Sequence, residues 1–448
     1  MKQGSGADIP DGISVCMNDR LHILVADYVP LANKGEEAIV RGIEDMLSAG
    51  RPLSLGLFDD VPQVTRRDTI TVFPRQWLFR FEGNSALSGR SRILMQARIA
   101  LQLRLGLRGL LKNLTPAGPE QCRPLQDFFQ RAEYVLVGHD GVFCVESCGI
   151  IHLAKKHGKR TGILGASAGI SGGRRYKAWL YRRAMEESDF CIFRERHSCE
   201  SMKQVCRDPA KLRVGPDPAF AMQPAPREAA REVLERHGLY RQARSDNRPI
   251  VAVTALEKGR VYAGFRPDLQ GRAKQEAHVE YWASILDRLI DKHRAFVLFL
   301  PHSVESDGSD LVAAKHVIQQ MKAPPDHCAI LEQDCGPRLL KAIIRECDFL
   351  VGERTHSLIG SVSVGTPFAA LTNRRDTRTH GIIGDMCRCE DRIVDMDVLG
   401  EHEAALKIME LFERRDAIRE SLGQIREGLA KQIEETVRTI KGSRGSAS

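Results

Sequence analysis

The feature that most constrains this chain is a unit that recurs along it: a short apolar run, a loop of small or charged residues, then residues at helical spacing. Residues 21–26 form the first run, followed by a loop from Asp27 to Asn33 and a helix expected over 36–47. The unit returns at 134–137 before Gly138-His139-Asp140-Gly141, with helical spacing over 146–157, and at 161–164 before Gly165-Ala166-Ser167-Ala168-Gly169. It returns again at 189–193 before Arg194-Glu195. Apolar runs too short for helices, each feeding a loop and a helix, predict an α/β fold with parallel sheets covered on both faces.

A polar stretch rich in Pro and Arg, 223–248, separates this series from a second one and reads as a linker. The second series has strands at 249–254, at 295–300 ending on Pro301-His302, and at 349–352 ending on Glu353-Arg354-Thr355-His356. The expected organisation is a flexible segment 1–19, an N-terminal Rossmann-like domain 20–222, the linker, and a C-terminal Rossmann-like domain 249–402. A long charged helical segment over 403–441 and a loose tail 442–448 complete it. The length of 448 residues suits two cores better than one.

Open parallel sheets bind ligands at the carboxyl ends of their strands. The polar residues there are Asn33, His139, Asp140, Arg194, His302, Arg354 and His356. In Asn33-Lys34-Gly35-Glu36-Glu37-Ala38, glycine would let a ligand approach the helix start, while simple capping by Asn33 or Glu36 explains the motif equally well. His139 and Asp140 stand between two glycines, where they could face a sugar hydroxyl, or Asp140 could merely cap the next helix. Arg194 could grip a carboxylate or phosphate. The strongest signal is Arg354-Thr355-His356. If extended, alternation puts both side chains on one side, one to hold an anion and one to move a proton. The nearly uncharged stretch 358–364 behind it reads as a buried wall.

Charge and composition exclude several classes. Sixty-six basic against 58 acidic residues give a net charge of +8, which suits an anionic ligand but, without basic–aromatic interleaving, does not indicate nucleic acid. The 12 cysteines show no paired C-x-x-C spacing, so reduced thiols are expected and no metal site. No signal peptide or membrane-spanning run is read, which predicts a cytoplasmic protein. From Ser85 to Pro119 there is no acidic residue, and arginines alternate with leucines. That segment is either a helix capping the domain or a peripheral contact with the inner face of an anionic membrane.

Taken in order, these motifs resemble the polysaccharide pyruvyl transferase family. The resemblance covers about residues 21–390 and rests on the Asn33–Ala38 motif, the 138–141 loop, and Arg194-Glu195 with Ser198. It continues through Gly215-Pro216-Asp217-Pro218-Ala219, His302 with Asp307, and Arg354-Thr355-His356. Glu36 stands where the family usually has Asp. The resemblance implies a fold similar to GT-B glycosyltransferases and transfer of a pyruvyl group from phosphoenolpyruvate to a sugar as a ketal, with no cofactor beyond that donor. It implies Arg194, Arg354 and His302 at the donor, His356 as the proton-moving group, and His139, Asp140 or Asp217 near the acceptor, which could be lipid-linked. A nucleotide-sugar glycosyltransferase, with Glu353 or Asp376 holding a ribose, and a non-catalytic glycan-binding member are the competing readings.

Overall fold

The computed structural model describes residues 20–48, 50–78, 120–138, 145–168, 175–236, 238–256, 264–304 and 309–442. Among them two sheets form. The first contains β1 (Leu21–Tyr28), β2 (Leu53–Asp59), β3 (Thr65–Arg67), β4 (Ile70–Pro74), β5 (Tyr134–Val137), β6 (Arg160–Ala166), β7 (Phe190–Phe193) and β8 (Leu212–Val214). Their order is β3-β4-β2-β1-β5-β6-β7-β8, parallel except at β3–β4. The second contains β9 (Ile250–Thr254), β10 (Phe296–Phe299), β11 (Cys328–Ile330), β12 (Phe349–Gly352), β13 (Phe368–Thr372) and β14 (Ile393–Asp395). Its order is β11-β10-β9-β12-β13-β14, and it is parallel throughout. The fold is the α/β arrangement of two Rossmann-like sheets expected from the recurring unit.

Strand order locates the crevices. In the first sheet the chain leaves β1 to one side through β2 and returns on the other at β5; in the second it leaves β9 toward β10 and returns at β12. Ligands bind at such reversal points. The loops there are those after β1 and β5, and after β9 and β12.

The helices that matter for the site are α1 (Lys34–Ser48), α2 (Arg227–Glu235), α3 (Gly238–Ser245), α4 (Asp310–Gln320), α5 (Pro337–Arg345), α6 (Thr355–Val364), α7 (Glu401–Glu413) and α8 (Arg415–Gly442). The 223–248 stretch, expected as a linker, contains α2 and α3, which bury Ala230, Val233, Leu234, Tyr240 and Ala243. The charged 403–441 segment, expected to be helical, consists of α7 and α8. α8 returns to the first sheet, where Ile440 is buried and its carbonyl accepts from the Arg160 guanidinium.

The domains share one apolar core. A single cluster runs from Ile39 and Ile43 on α1 through Ala219–Met222 to Ile343 and Ile344 on α5 and Leu358, Ile359 and Val362 on α6. A separate cluster fills the other face of the first sheet. Backbone bonds stitch the start of α1 to the loop after β10: Lys34 N–H donates to the His302 carbonyl (2.8 Å) and Val304 N–H to that of Ala32 (3.2 Å). The ten cysteines among the described residues are buried free thiols. No helix among them is long and apolar enough to cross a membrane.

Candidate active site

The loop after β12 is the centre of the site. Gly352 is required there, because a Cβ would lie 2.8 Å from Thr254 Oγ1 and 3.0 Å from Ser357 Oγ. Glu353 turns inward: one carboxylate oxygen accepts from the Leu256 amide (2.7 Å) and the other lies 2.6 Å from His278 Nε2. Arg354 is the N-cap residue of α6 in extended backbone, and helix begins at Thr355. The expectation of Arg354 and His356 side by side on an extended segment is therefore corrected. The helical turn at Thr355 sends the two side chains to different partners.

Arg354 pairs with Asp310, the first residue of α4. Arg354 Nε donates to Asp310 Oδ2 at 3.0 Å and Nη2 to Oδ1, a bidentate geometry. Asp310 also accepts from the His302 and Ser303 amides, both at 2.9 Å. One carboxylate thus fixes both the arginine and the loop after β10.

His356 lies between the two domains. A Cβ on Gly35, in the first turn of α1, would fall 2.4 Å from His356 Nδ1. On its other edge, Nε2 lies 3.7 Å from Asp217 Oδ2. Asp217 is fully buried and caps the short turn Pro218–Phe220 by accepting from the Ala219 amide at 2.9 Å. Arg194, 1% exposed, donates from Nη1 to Asp217 Oδ2 (3.1 Å) and from Nε to Ser167 Oγ (2.9 Å). Burial pushes the Asp217 carboxyl upward, but the adjacent His356, the Arg194 guanidinium and the Ala219 amide together hold it below the usual carboxylate range. Asp217 is then a fixed negative charge facing an imidazole. That gives the ring an orientation and a counter-charge whenever it carries a proton.

Behind this pair, Ser198 Oγ donates to Glu195 and accepts from the Ala168 amide (2.7 Å). Glu195 packs on Gly381, where a Cβ would lie 2.7 Å from its own. Gly381 belongs to a π-helical turn, His380–Met386. Asp376, just before that turn, accepts from Thr372 Oγ1 (3.0 Å) and Thr379 Oγ1 (2.6 Å), and Thr379 reaches Thr355 of α6 at 2.9 Å.

His302 is buried, and Nδ1 donates to the Leu300 carbonyl at 3.0 Å, leaving Nε2 as the acceptor of a neutral ring. Burial pushes its imidazolium down to about 4. Lys34, also buried, places Nζ 2.7 Å from Asp334. Asn33 is a cap: its Oδ1 accepts from the Gly35 amide (3.1 Å), and its Nδ2 donates to Glu36 at 3.4 Å.

The model of the polysaccharide pyruvyl transferase family matches residues 58–375, well over half of the sequence. The chain belongs to that family. No curated protein matches it in sequence. Among solved structures, the α,α-trehalose-6-phosphate synthase of Burkholderia multivorans is similar over 96% of this chain and 100% of that one, with a TM-score of 0.54 and 12% identity. The corresponding UDP-forming synthase of Burkholderia vietnamiensis covers 96% and 98%, with a TM-score of 0.51 and 13% identity. At such identity the likeness is one of fold, and that fold is GT-B.

Within this pyruvyl transferase family member, the structure brings together His356, Asp217 and Arg194, and separately Arg354 and His302 through Asp310. Arg194, expected at the donor, is instead enclosed as the partner of Asp217, because a buried carboxylate needs a buried cation. Asp217, expected near the acceptor, sits beneath His356. Asn33 and Glu36 act at the helix start. His139, Asp140 and Asp307 lie outside the described residues. The residues missed from sequence were Asp310, Lys341 and Asp27, whose carboxylate accepts from the Gly138 amide. An acid at the end of β1 was a usable signal for Asp27. Nothing local marks Lys341, whose partners lie about 120 positions away, and the Arg354 partner of Asp310 lies 44 positions away. Among the described residues no group of three or more His, Cys, Asp or Glu side chains could hold a metal.

Proposed function

We propose that this chain transfers the pyruvyl group of phosphoenolpyruvate to a sugar of a polysaccharide or lipid-linked glycan, forming a ketal. The observation that carries the reading is His356, which the C-terminal domain holds at a reversal point between Gly35 and the buried Asp217 of the N-terminal domain. Family membership sets the reaction class. The geometry supplies a group able to move a proton in it.

In this reading His356 gives a proton to the methylene carbon of the donor, and C2 takes on oxocarbenium character. A sugar hydroxyl bonds to C2 and returns its proton to His356. The C2–O bond to phosphate then breaks, phosphate leaves with the bonding pair, and a neighbouring hydroxyl closes the ketal as its proton passes to the phosphate. Asp217 balances the imidazolium before the first proton transfer and after the second. The donor's negative charge is met by the Arg354 Nη1 edge that Asp310 leaves, by Lys34, and by the first amides of α6, which no side chain caps. His139 and Asp140 remain the candidates for steering the acceptor.

The nucleotide-sugar alternative is less supported at Glu353, whose two carboxylate oxygens both meet internal partners. Replacing His356→Ala is expected to lower phosphate release from phosphoenolpyruvate by more than tenfold, at least about 1.4 kcal/mol of barrier. A smaller loss with the true acceptor would remove His356 from this role. The basic segment 85–119 favours a lipid-linked acceptor at the inner membrane face. Neutralising Arg98, Arg104 and Arg108 should then reduce flotation with anionic liposomes, and unchanged flotation would withdraw that support.

A further inference from the structure

One buried charge near the site has no part in the reaction above. Lys341, on α5, is 3% exposed, and its Nζ donates to the carbonyls of Ala219 (3.1 Å), Phe220 (3.4 Å) and Met222 (2.5 Å). Three acceptors around one nitrogen match the three N–H bonds of an ammonium. The groups acting on this charge are Asp45 and Asp217, which attract it, and Arg338 and Arg426, which repel it; burial outweighs them and pushes the ammonium down to about 7. An apolar side chain of similar length would fill the same space without that penalty. The ammonium must therefore do something that packing alone does not.

What it grips is the turn that carries Asp217. Asp217 caps Pro218–Phe220, and Lys341 binds the carbonyls of that turn and of the residues just after it. The turn presses on α1 so closely that a Cβ on Gly42 would overlap the Pro218 carbonyl. On the other side, α5 packs against α6, which bears His356: a Cβ on Gly360 would lie 3.5 Å from Ile344 and 3.9 Å from the Lys341 stem. Lys341 thus bridges the N-terminal element holding the carboxylate and the C-terminal helix pair holding the imidazole. Beside it Arg338 makes a second crossing, to both oxygens of Asp45 at 2.6 and 2.7 Å, but that pair touches neither Asp217 nor His356.

We infer that Lys341 is a positioning residue whose ammonium fixes the Asp217 turn against the C-terminal domain and so sets the separation of Asp217 from His356. The inference rests on the reading of His356 as the proton-moving group. A residue acting this way changes turnover more than donor affinity, because the donor does not touch it.

The test uses the full chain with Lys341→Met, which keeps the stem and removes the donors, and Lys341→Arg, which keeps a cation with N–H donors at that position. Phosphate release from phosphoenolpyruvate is followed with a panel of nitrophenyl glycosides as hydroxyl probes, and amide hydrogen exchange over 217–222 by mass spectrometry. The expected result for Lys341→Met is at least tenfold lower kcat, a KM for phosphoenolpyruvate within twofold, and at least fivefold faster exchange over 217–222. Lys341→Arg should bring kcat and exchange most of the way back toward the native values. Unaltered exchange overturns the inference, as does faster exchange with undiminished kcat. A native chain that releases no phosphate would instead count against the proposed reaction, and the exchange and its rescue would still decide whether Lys341 holds the turn.

Discussion

His356 owes its position to the absence of a side chain in the other domain. Gly35 leaves room for the imidazole in the first turn of α1, and any Cβ there would collide with Nδ1. Gly35→Ala should therefore lower phosphate release by tenfold or more. Helix propensity favours alanine by about 0.5–1 kcal/mol, which would offset part of the steric cost to stability. Equal turnover in the variant would show that the close contact is incidental. His302 is also sensitive to its surroundings, through pH. Its folded-state value near 4 lies below the ordinary 6.5, so on acidification the unfolded chain takes up this proton first. Stability should fall as pH drops from about 6.5 to 4, by up to about 3 kcal/mol from this group. Asp217 adds a loss at still lower pH, as its depressed carboxyl is protonated. Urea unfolding from pH 4 to 7 tests this. The slope should flatten in His302→Gln, and an identical slope would assign the acid sensitivity elsewhere. At this scale the sequence singled out candidate residues for chemistry, including His356, but not which of them pair. Arg194 and Arg354 looked alike as strand-end cations, yet one neutralises Asp217 from within and the other is fixed by Asp310 at a partly open edge.

Among the elements, the strands and their loops were legible because short apolar runs that end on small or charged residues leave few alternatives. Helix starts were less so. The helix at 355 begins inside the Arg-Thr-His motif, and an uncharged stretch gives no sign of its first residue without a capping side chain. The C-terminal helices were harder still. The charged pattern over 403–441 hides a break near Arg414 and a return to the first sheet, where α8 buries Leu422, Leu429 and Ile440. If that packing holds the N-terminal domain as its burial indicates, Ile440→Ala should cost about 2–4 kcal/mol in urea unfolding. A cost under about 1 kcal/mol would mean that the end of α8 contributes little to stability.

At the scale of the whole molecule, two sheets with their reversal points turned toward a common core bring the ends of β1 and β12 together. Phosphoenolpyruvate binding there should raise the melting temperature, because a ligand of the folded state stabilises it by mass action. UDP should not. The opposite pattern in a thermal scan would favour the nucleotide-sugar reading. The sequence by itself determined the fold class and the positions of the strand-end motifs, since both follow from local periodicity and residue chemistry. Only the tertiary structure decided that His356 faces Asp217, that Arg194 is a structural counter-ion, and that Lys341 ties the two halves of the site together. The His356 and Lys341 contacts join residues more than 100 positions apart, and a pairing across two domains leaves no trace in the local pattern of either; Arg194 and Asp217, 23 apart, meet only because adjacent strand-end loops fold together.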